Sequence, residues 1–330
     1  MSGVVFYREQ DADPRALQGQ CVAVIGYGNL GRSMALNLRD GGLPVVVGNI
    51  DDPYRRTAAD DGFEVLDIAD AVEASCLVYM LIPDEAMPAC FASEVRPHLR
   101  PGQAVAFASG YPLAFGLLDL PGSIDVLLLA PRMLGEEVRR AYRAGEGFFG
   151  YVSVEQDASG RATERLLALA AATGCLRKGA MPLSARQEAL LDLLIEQTVG
   201  PYLGTAIQLA FFLGVEAGLP PEAMVLEMYM SGEMSRTFQA FAEVGFMQSV
   251  GWHGAVAQYG GFLRTLEVDR EAMQRTFSST LEDIRSGRFA RRFQDEHDAG
   301  YPTLGAINAV KESGNPMTEA ERRVRAALGG

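Results

Sequence analysis

The feature that most constrains this chain is the run from Val22 to Gly31, VAVIGYGNLG, in which Gly26, Gly28 and Gly31 stand at GxGxxG spacing behind four apolar residues and ahead of a helical pattern over 29–39. Each glycine has a physical task in a strand–turn–helix: the first permits the tight turn, the second lets a pyrophosphate approach the backbone, and the third allows the helix to pack on the strand. The glycine spacing alone is weak, but a strand before it and a second strand after it predict a dinucleotide site built from Gly26, Tyr27, Gly28, Asn29, Leu30 and Gly31.

Short, continuous Val/Leu/Ile runs recur at 21–25, 45–48, 77–82, 104–108, 125–130 and 151–154, separated by helix-like segments. That is how parallel strands covered on both faces read, so a doubly wound α/β Rossmann sheet is expected. Beyond about residue 180 the strand signal stops and helical spacing takes over at 185–214, 221–244, 270–286 and 318–328. The chain is therefore divided into a dinucleotide-binding domain, 1–181, and an all-helical domain, 182–330, with the border near Gly179 to Pro182.

The second run ends in Asn49-Ile-Asp51-Asp52, where the adenosine ribose should lie. A carboxylate there accepts from both ribose hydroxyls and repels a 2′-phosphate, so Asp51 favours NADH over NADPH. Arg55 and Arg56 stand nearby and would serve either a 2′-phosphate or only the helix surface.

Glu188, Asp192 and Glu196 recur every four residues in QEALLDLLIEQ and so share one helix face. Acids among apolar neighbours call for a cation, and a hard divalent ion such as Mg²⁺ suits oxygen donors; the competing reading is a solvated acidic stripe. Glu227 is a further acid in an apolar helix.

The formal net charge of −13 argues against nucleic acid, whose binding draws on Lys and Arg. The longest uninterrupted apolar runs are too short to cross a bilayer, and the start of the chain lacks the marks of a secretory signal, so a cytoplasmic protein is expected. Cys21, Cys76, Cys90 and Cys175 show no metal or disulfide spacing and are expected as reduced, mostly buried thiols.

With these pieces in place, the chain resembles the short form of ketol-acid reductoisomerase from about residue 18 to 312. The resemblance is carried, in the family's order, by VAVIGYGNLGRSMALNLRDGG, the LIPDE of Leu81–Glu85, LRPGQAVAFASGY, DVLLLAPR, VEQDASGRA and, less closely, DLLIEQ and AQYGG. It implies a Rossmann domain plus a knotted helical domain that dimerises, with active sites shared between subunits. Pro83, Asp84, Ser109 and Gly110 would join the cofactor site.

The resemblance further implies two Mg²⁺ ions and an alkyl migration followed by hydride delivery from NAD(P)H, the isomeroreduction of branched-chain amino acid biosynthesis. Asp192 would be the bridging ligand, Glu196 a ligand one turn on, Glu227 a ligand from the partner subunit and Glu188 a supporting group. Departures are local. Ser109 replaces a histidine of an AHG segment, Arg132 a lysine of APKGPG, Ser231 a second acid after Glu227, and Gly254 a serine before AxYG. Arg132 keeps the charge but not the proton-donating ability of lysine, and is placed to hold a substrate carboxylate or, alternatively, to form a salt bridge. His253 is a candidate proton donor or a surface residue. Three readings stay open: an isomeroreductase, a keto-acid or imine reductase without migration, and a silent dinucleotide-binding homologue.

Overall fold

Eight strands line up in the order β3-β2-β1-β4-β5-β6-β7-β8. Their ranges are β1 Val22–Ile25, β2 Val45–Gly48, β3 Glu64–Leu66, β4 Leu77–Met80, β5 Ala104–Phe107, β6 Asp125–Pro131, β7 Phe149–Gln156 and β8 Gly179–Pro182. The computed structural model describes residues 3–312 and 314–329. Every neighbouring pair is parallel except β6 with β7. The central strands β1, β4, β5 and β6 are buried along their whole length, which is why they read as unbroken apolar runs.

The order reverses between β1 and β4, and in open α/β sheets ligands bind beyond the carboxyl ends of the strands at that switch point. All six expected strands are present. Two more exist: β3 is a three-residue edge strand, and β8 opens on Gly179 at φ 123 and ends in proline, so neither carries an apolar run. β7 departs from the expected all-parallel sheet.

The chain separates into two compact units, residues 1–192 and 193–330. The second contains only helices among its described residues, as expected. The helical pattern over 185–214 is interrupted at Thr198 (φ −123, ψ −76), giving helices Ala185–Gln197 and Val199–Glu216. That over 221–244 breaks at Gly232 (φ 85) between a π turn, Leu226–Met230, and helix Glu233–Val244. Helices Ala255–Glu267, Arg288–Asp298 and Pro302–Glu312 are additional to the sequence reading.

Burial differs sharply between the units. The sheet unit holds two extensive cores, one on each face, whereas the helical unit buries a small cluster around Phe211, Val225, Ala320 and Val324. Its helices leave Phe212, Leu213, Phe246, Met247, Trp252, Tyr259 and Leu266 exposed. Within Ala185–Glu216 an 18-residue stretch reaches a mean hydropathy of 1.4, a value that by length and composition alone matches a membrane span. The break at Thr198 divides that segment into two helices, and length and composition alone do not make it a span. The cysteines are unpaired as expected, but Cys175 alone is buried and Cys76 is exposed.

Candidate functional site

The site begins where β1 ends. Gly26 has φ 94, and a Cβ there would lie 2.7 Å from the Leu81 carbonyl oxygen, just after β4. A Cβ on Gly31 would lie 2.0 Å from the Gly26 oxygen, so the helix Asn29–Asp40 can meet the strand only through glycine. Gly28 is different: a Cβ there would meet nothing within 4 Å, and as the helix N-cap it offers no capping side chain. The open approach is therefore at Gly28, where the first backbone N–H groups of the helix point.

The turn is tied down from below. Asn49, buried at the end of β2, accepts the Tyr27 N–H at 3.0 Å and donates to Asp52 at 2.8 Å. The Tyr27 side chain turns into the core, and its hydroxyl donates to Asp61, which also receives the Arg32 guanidinium at 2.6 Å. Burial and the neighbouring Asp61 carboxylate both push the Tyr27 hydroxyl well above its ordinary pKa. The side chain thereby helps to hold the loop.

A groove of about 510 Å³ lies over Tyr27, Gly28, Asn29, Arg32 and Tyr54. Another, of about 700 Å³, is lined by Asp51, Asp52, Arg55, Arg56 and Phe63. Asp52 is occupied as the N-cap of helix Pro53–Asp60, accepting from Tyr54 and Arg55, whereas Asp51 is exposed. Arg55 donates to the Asn49 carbonyl and Asp67, so its charge is spent on the fold. The Arg56 side chain is exposed.

Beyond β4 and β5 the chain places Asp84 against Ser109. Ser109 Oγ donates to Asp84 Oδ2 at 3.1 Å and accepts the Tyr111 N–H at 3.1 Å. Burial, reinforced by the charges of Glu188, Glu85 and Asp192, raises Asp84 to a pKa of about 6 although the Ser109 bond pulls the other way. Pro83 is exposed beside it and Leu30 is half-buried against the core.

At the end of β6, Arg132 joins two of the helix carboxylates: Nη2 donates to Glu188 Oε1 at 2.7 Å and Nη1 to Asp192 Oδ1 at 2.6 Å. Arg132 thus forms a salt bridge with both carboxylates. Glu188 is 1% exposed, and its other oxygen accepts the Gly110 N–H at 2.7 Å. Burial raises the Glu188 carboxyl above its ordinary pKa although Arg132 and the Gly110 N–H pull the other way. Sequence spacing exposed Glu188 but gave no sign of its bond to Gly110, whose amide is consequently not available to a cofactor.

The remaining expected residues are less gathered. Glu196 follows Asp192 by one turn and is exposed, Glu227 is exposed on the π turn, and His253 is exposed after the short helix Val250–Trp252. Among the described residues no three His, Cys, Asp or Glu side chains form a metal-holding group. The donors nonetheless fit a hard divalent ion in kind. Asp192 and Glu196 present oxygen on one helix face, and the Asp192 side chain is 43% exposed.

Two family profiles match nearly the whole chain. That of the acetohydroxy acid isomeroreductase NADPH-binding domain matches residues 16–179, and that of the ketol-acid reductoisomerase C-terminal domain residues 186–329. The chain belongs to the ketol-acid reductoisomerase family.

It is 38% identical over 298 residues to the putative ketol-acid reductoisomerase 3 of Saccharolobus solfataricus, covering 89% of this chain and 90% of that one. It is 36% identical over 310 residues to the ketol-acid reductoisomerase (NADP(+)) of Caldivirga maquilingensis, covering 93% of each. Among solved structures, an NADH-preferring ketol-acid reductoisomerase from an uncultured archaeon superposes with a TM-score of 0.92 at 30% identity, covering 98% of both chains. The chain is accordingly an NAD(P)H-dependent oxidoreductase with a Rossmann N-terminal half and a helical C-terminal half.

Proposed function

We propose that this chain is a ketol-acid reductoisomerase that uses NADH and a divalent ion, Mg²⁺, to convert a small 2-hydroxy-2-alkyl-3-keto acid into a dihydroxy acid. The observation that carries this reading is the junction of Arg132 with Glu188 and Asp192 beyond the carboxyl end of β6, the end of the parallel strands at which the glycine loop after β1 also opens. Asp192 and Glu196 are the residues to hold the ion, with Glu227 as a further ligand from a partner subunit. When bound, the ion polarises the substrate's oxygens for migration and reduction.

The residues of the chain itself divide the remaining work. Gly28 and the helix amides behind it take the pyrophosphate, Asp51 takes the ribose hydroxyls, and the loop at Pro83 to Asp84 with Ser109 borders the nicotinamide end. Asp51 is exposed at the ribose position and Arg55 is engaged elsewhere, which supports NADH; the named preference of the archaeal relative agrees. Ser109, hydrogen-bonded to Asp84, and His253 are the candidate proton donors to the new alkoxide.

The apolar surface left open by the helical unit supports a homodimer, since patches of this extent on a monomer mark interaction surfaces. A second copy, rather than lipid, is the occupant we propose for the exposed face of Ala185–Glu216, in a cytoplasmic enzyme that acts on small molecules.

A second reading, reduction without migration, is favoured by Ser109 and Arg132 standing where the family has histidine and lysine. Following NADH oxidation with 2-acetolactate and with the pre-isomerised 3-hydroxy-2-keto acid, each with and without Mg²⁺, tests the proposal. Turnover of both, dependent on Mg²⁺, is expected; turnover of the pre-isomerised acid alone supports the second reading, and turnover of neither overturns both.

A further inference from the structure

Arg132 stands between two carboxylates of unlike environment. On one side Glu188 is buried and holds the guanidinium through Nη2, with its second oxygen fixed by the Gly110 N–H. Arg132 Nε donates to the Pro131 carbonyl at 3.1 Å, and the guanidinium lies 5.1 Å from the centroid of the Tyr151 ring. These contacts set the plane of the group. Releasing it from Glu188 would leave a buried carboxylate without its counter-charge, a costly event. On the other side Asp192 is 43% exposed and meets the remaining nitrogen, Nη1.

We infer that Arg132 sets the affinity of Asp192 for a divalent ion: a guanidinium locked by Glu188, Pro131 and Tyr151 presents a fixed positive charge to the Asp192 oxygen that the ion needs. The inference rests on the reading that Asp192 carries the ion. An arriving ion meets a carboxylate already partly neutralised by a guanidinium that the buried Glu188 holds in place. A lysine at this position would behave differently. Its single ammonium on a flexible stem follows the buried Glu188 and leaves Asp192 to the ion, whereas the guanidinium fork spans both carboxylates at once. Arg132 is in this sense a tuning residue for ion occupancy, and the pairing makes the ion-free enzyme a stable species.

The test is calorimetric titration of Mg²⁺ into the full-length protein with NADH bound, comparing wild type with Arg132→Lys, Tyr151→Leu and Asp192→Asn. Arg132→Lys is chosen because it keeps a cation beside Glu188, and metal-free melting curves check that each variant is folded. Relief of one partly exposed charge pair, worth about 1 kcal/mol, corresponds to Mg²⁺ binding about fivefold tighter in Arg132→Lys. Tyr151→Leu, which removes one support of the guanidinium, should tighten binding in the same direction by a smaller factor. Asp192→Asn should abolish it.

Unchanged or weaker Mg²⁺ binding in Arg132→Lys, with binding still lost in Asp192→Asn, overturns the inference while leaving the metal reading intact. Unchanged binding in Asp192→Asn overturns the metal reading and the inference with it.

Discussion

Replacing Glu188 by glutamine should destabilise the protein out of proportion to the size of the change. Both Glu188 oxygens accept hydrogen bonds, from Gly110 N and from Arg132 Nη2. A glutamine has one accepting oxygen and one donating NH₂, so in either flip a donor faces a donor. The variant loses a charge-assisted bond and leaves a buried donor unpaired, each costing roughly 1–3 kcal/mol, so about 3 kcal/mol is expected in all. At about 2–4 °C per kcal/mol for a chain of this kind, the melting temperature should fall by about 6–12 °C.

The assay is thermal unfolding at about pH 8, well above ordinary carboxylate pKa values, combined with hydrogen exchange at the Gly110 amide. Exchange there should accelerate in the variant even below the melting range. A drop under about 2 °C with Gly110 still protected would refute the reasoning, because it would mean that a neutral side chain satisfies both donors.

Other expectations follow from the same geometry. Gly28→Ala meets no atoms in the fold, so it should leave the melting temperature unchanged while weakening NADH in a fluorescence titration, whereas Gly31→Ala, with its Cβ 2.0 Å from the Gly26 oxygen, should unsettle the fold itself. Asp84 has its pKa raised from 3.8 to about 6 by burial, so its favourable contribution is complete below the lower value and is lost as pH rises through the upper one. Asp84→Asn should therefore gain stability over wild type as pH climbs from about 4 to 7, and a difference that does not grow over that range contradicts the assignment. Asp51→Asn should lower the ratio of kcat/KM for NADH to that for NADPH by about tenfold, chiefly through the NADH value, and an unchanged ratio removes Asp51 from the ribose site.

The parts of the fold that were legible in advance are those whose cause is local. The GYGNLG loop announces itself by its glycine spacing between a strand and a helix, with Gly31 demanded by the nearby Gly26 oxygen, and β1, β4, β5 and β6 read as strands because both faces are covered. The edge strands β3 and β8 were not legible, since short, half-exposed pairing needs no apolar run. Thr198 and Gly232 break helices that periodicity alone would continue.

For the site, the four-residue spacing of Glu188, Asp192 and Glu196 was plain, but their partners were not. Gly110 is 78 residues from Glu188 and Arg132 is 60 from Asp192, and no local pattern encodes such pairings. Nor did the sequence distinguish the apolar residues of the helical unit that enter its small core from the many left exposed, because helical spacing marks a face without saying what covers it.

The fate of the alkyl group and of the hydride decides which reaction is catalysed, and one product analysis reads both. The enzyme, supplied with 2-acetolactate, Mg²⁺ and NADH deuterated at the transferred position, should yield 2,3-dihydroxy-3-methylbutanoate with deuterium at C2, as seen by NMR. A product with the methyl group still on C2 and deuterium at C3 would show reduction without migration and contradict the proposed reaction.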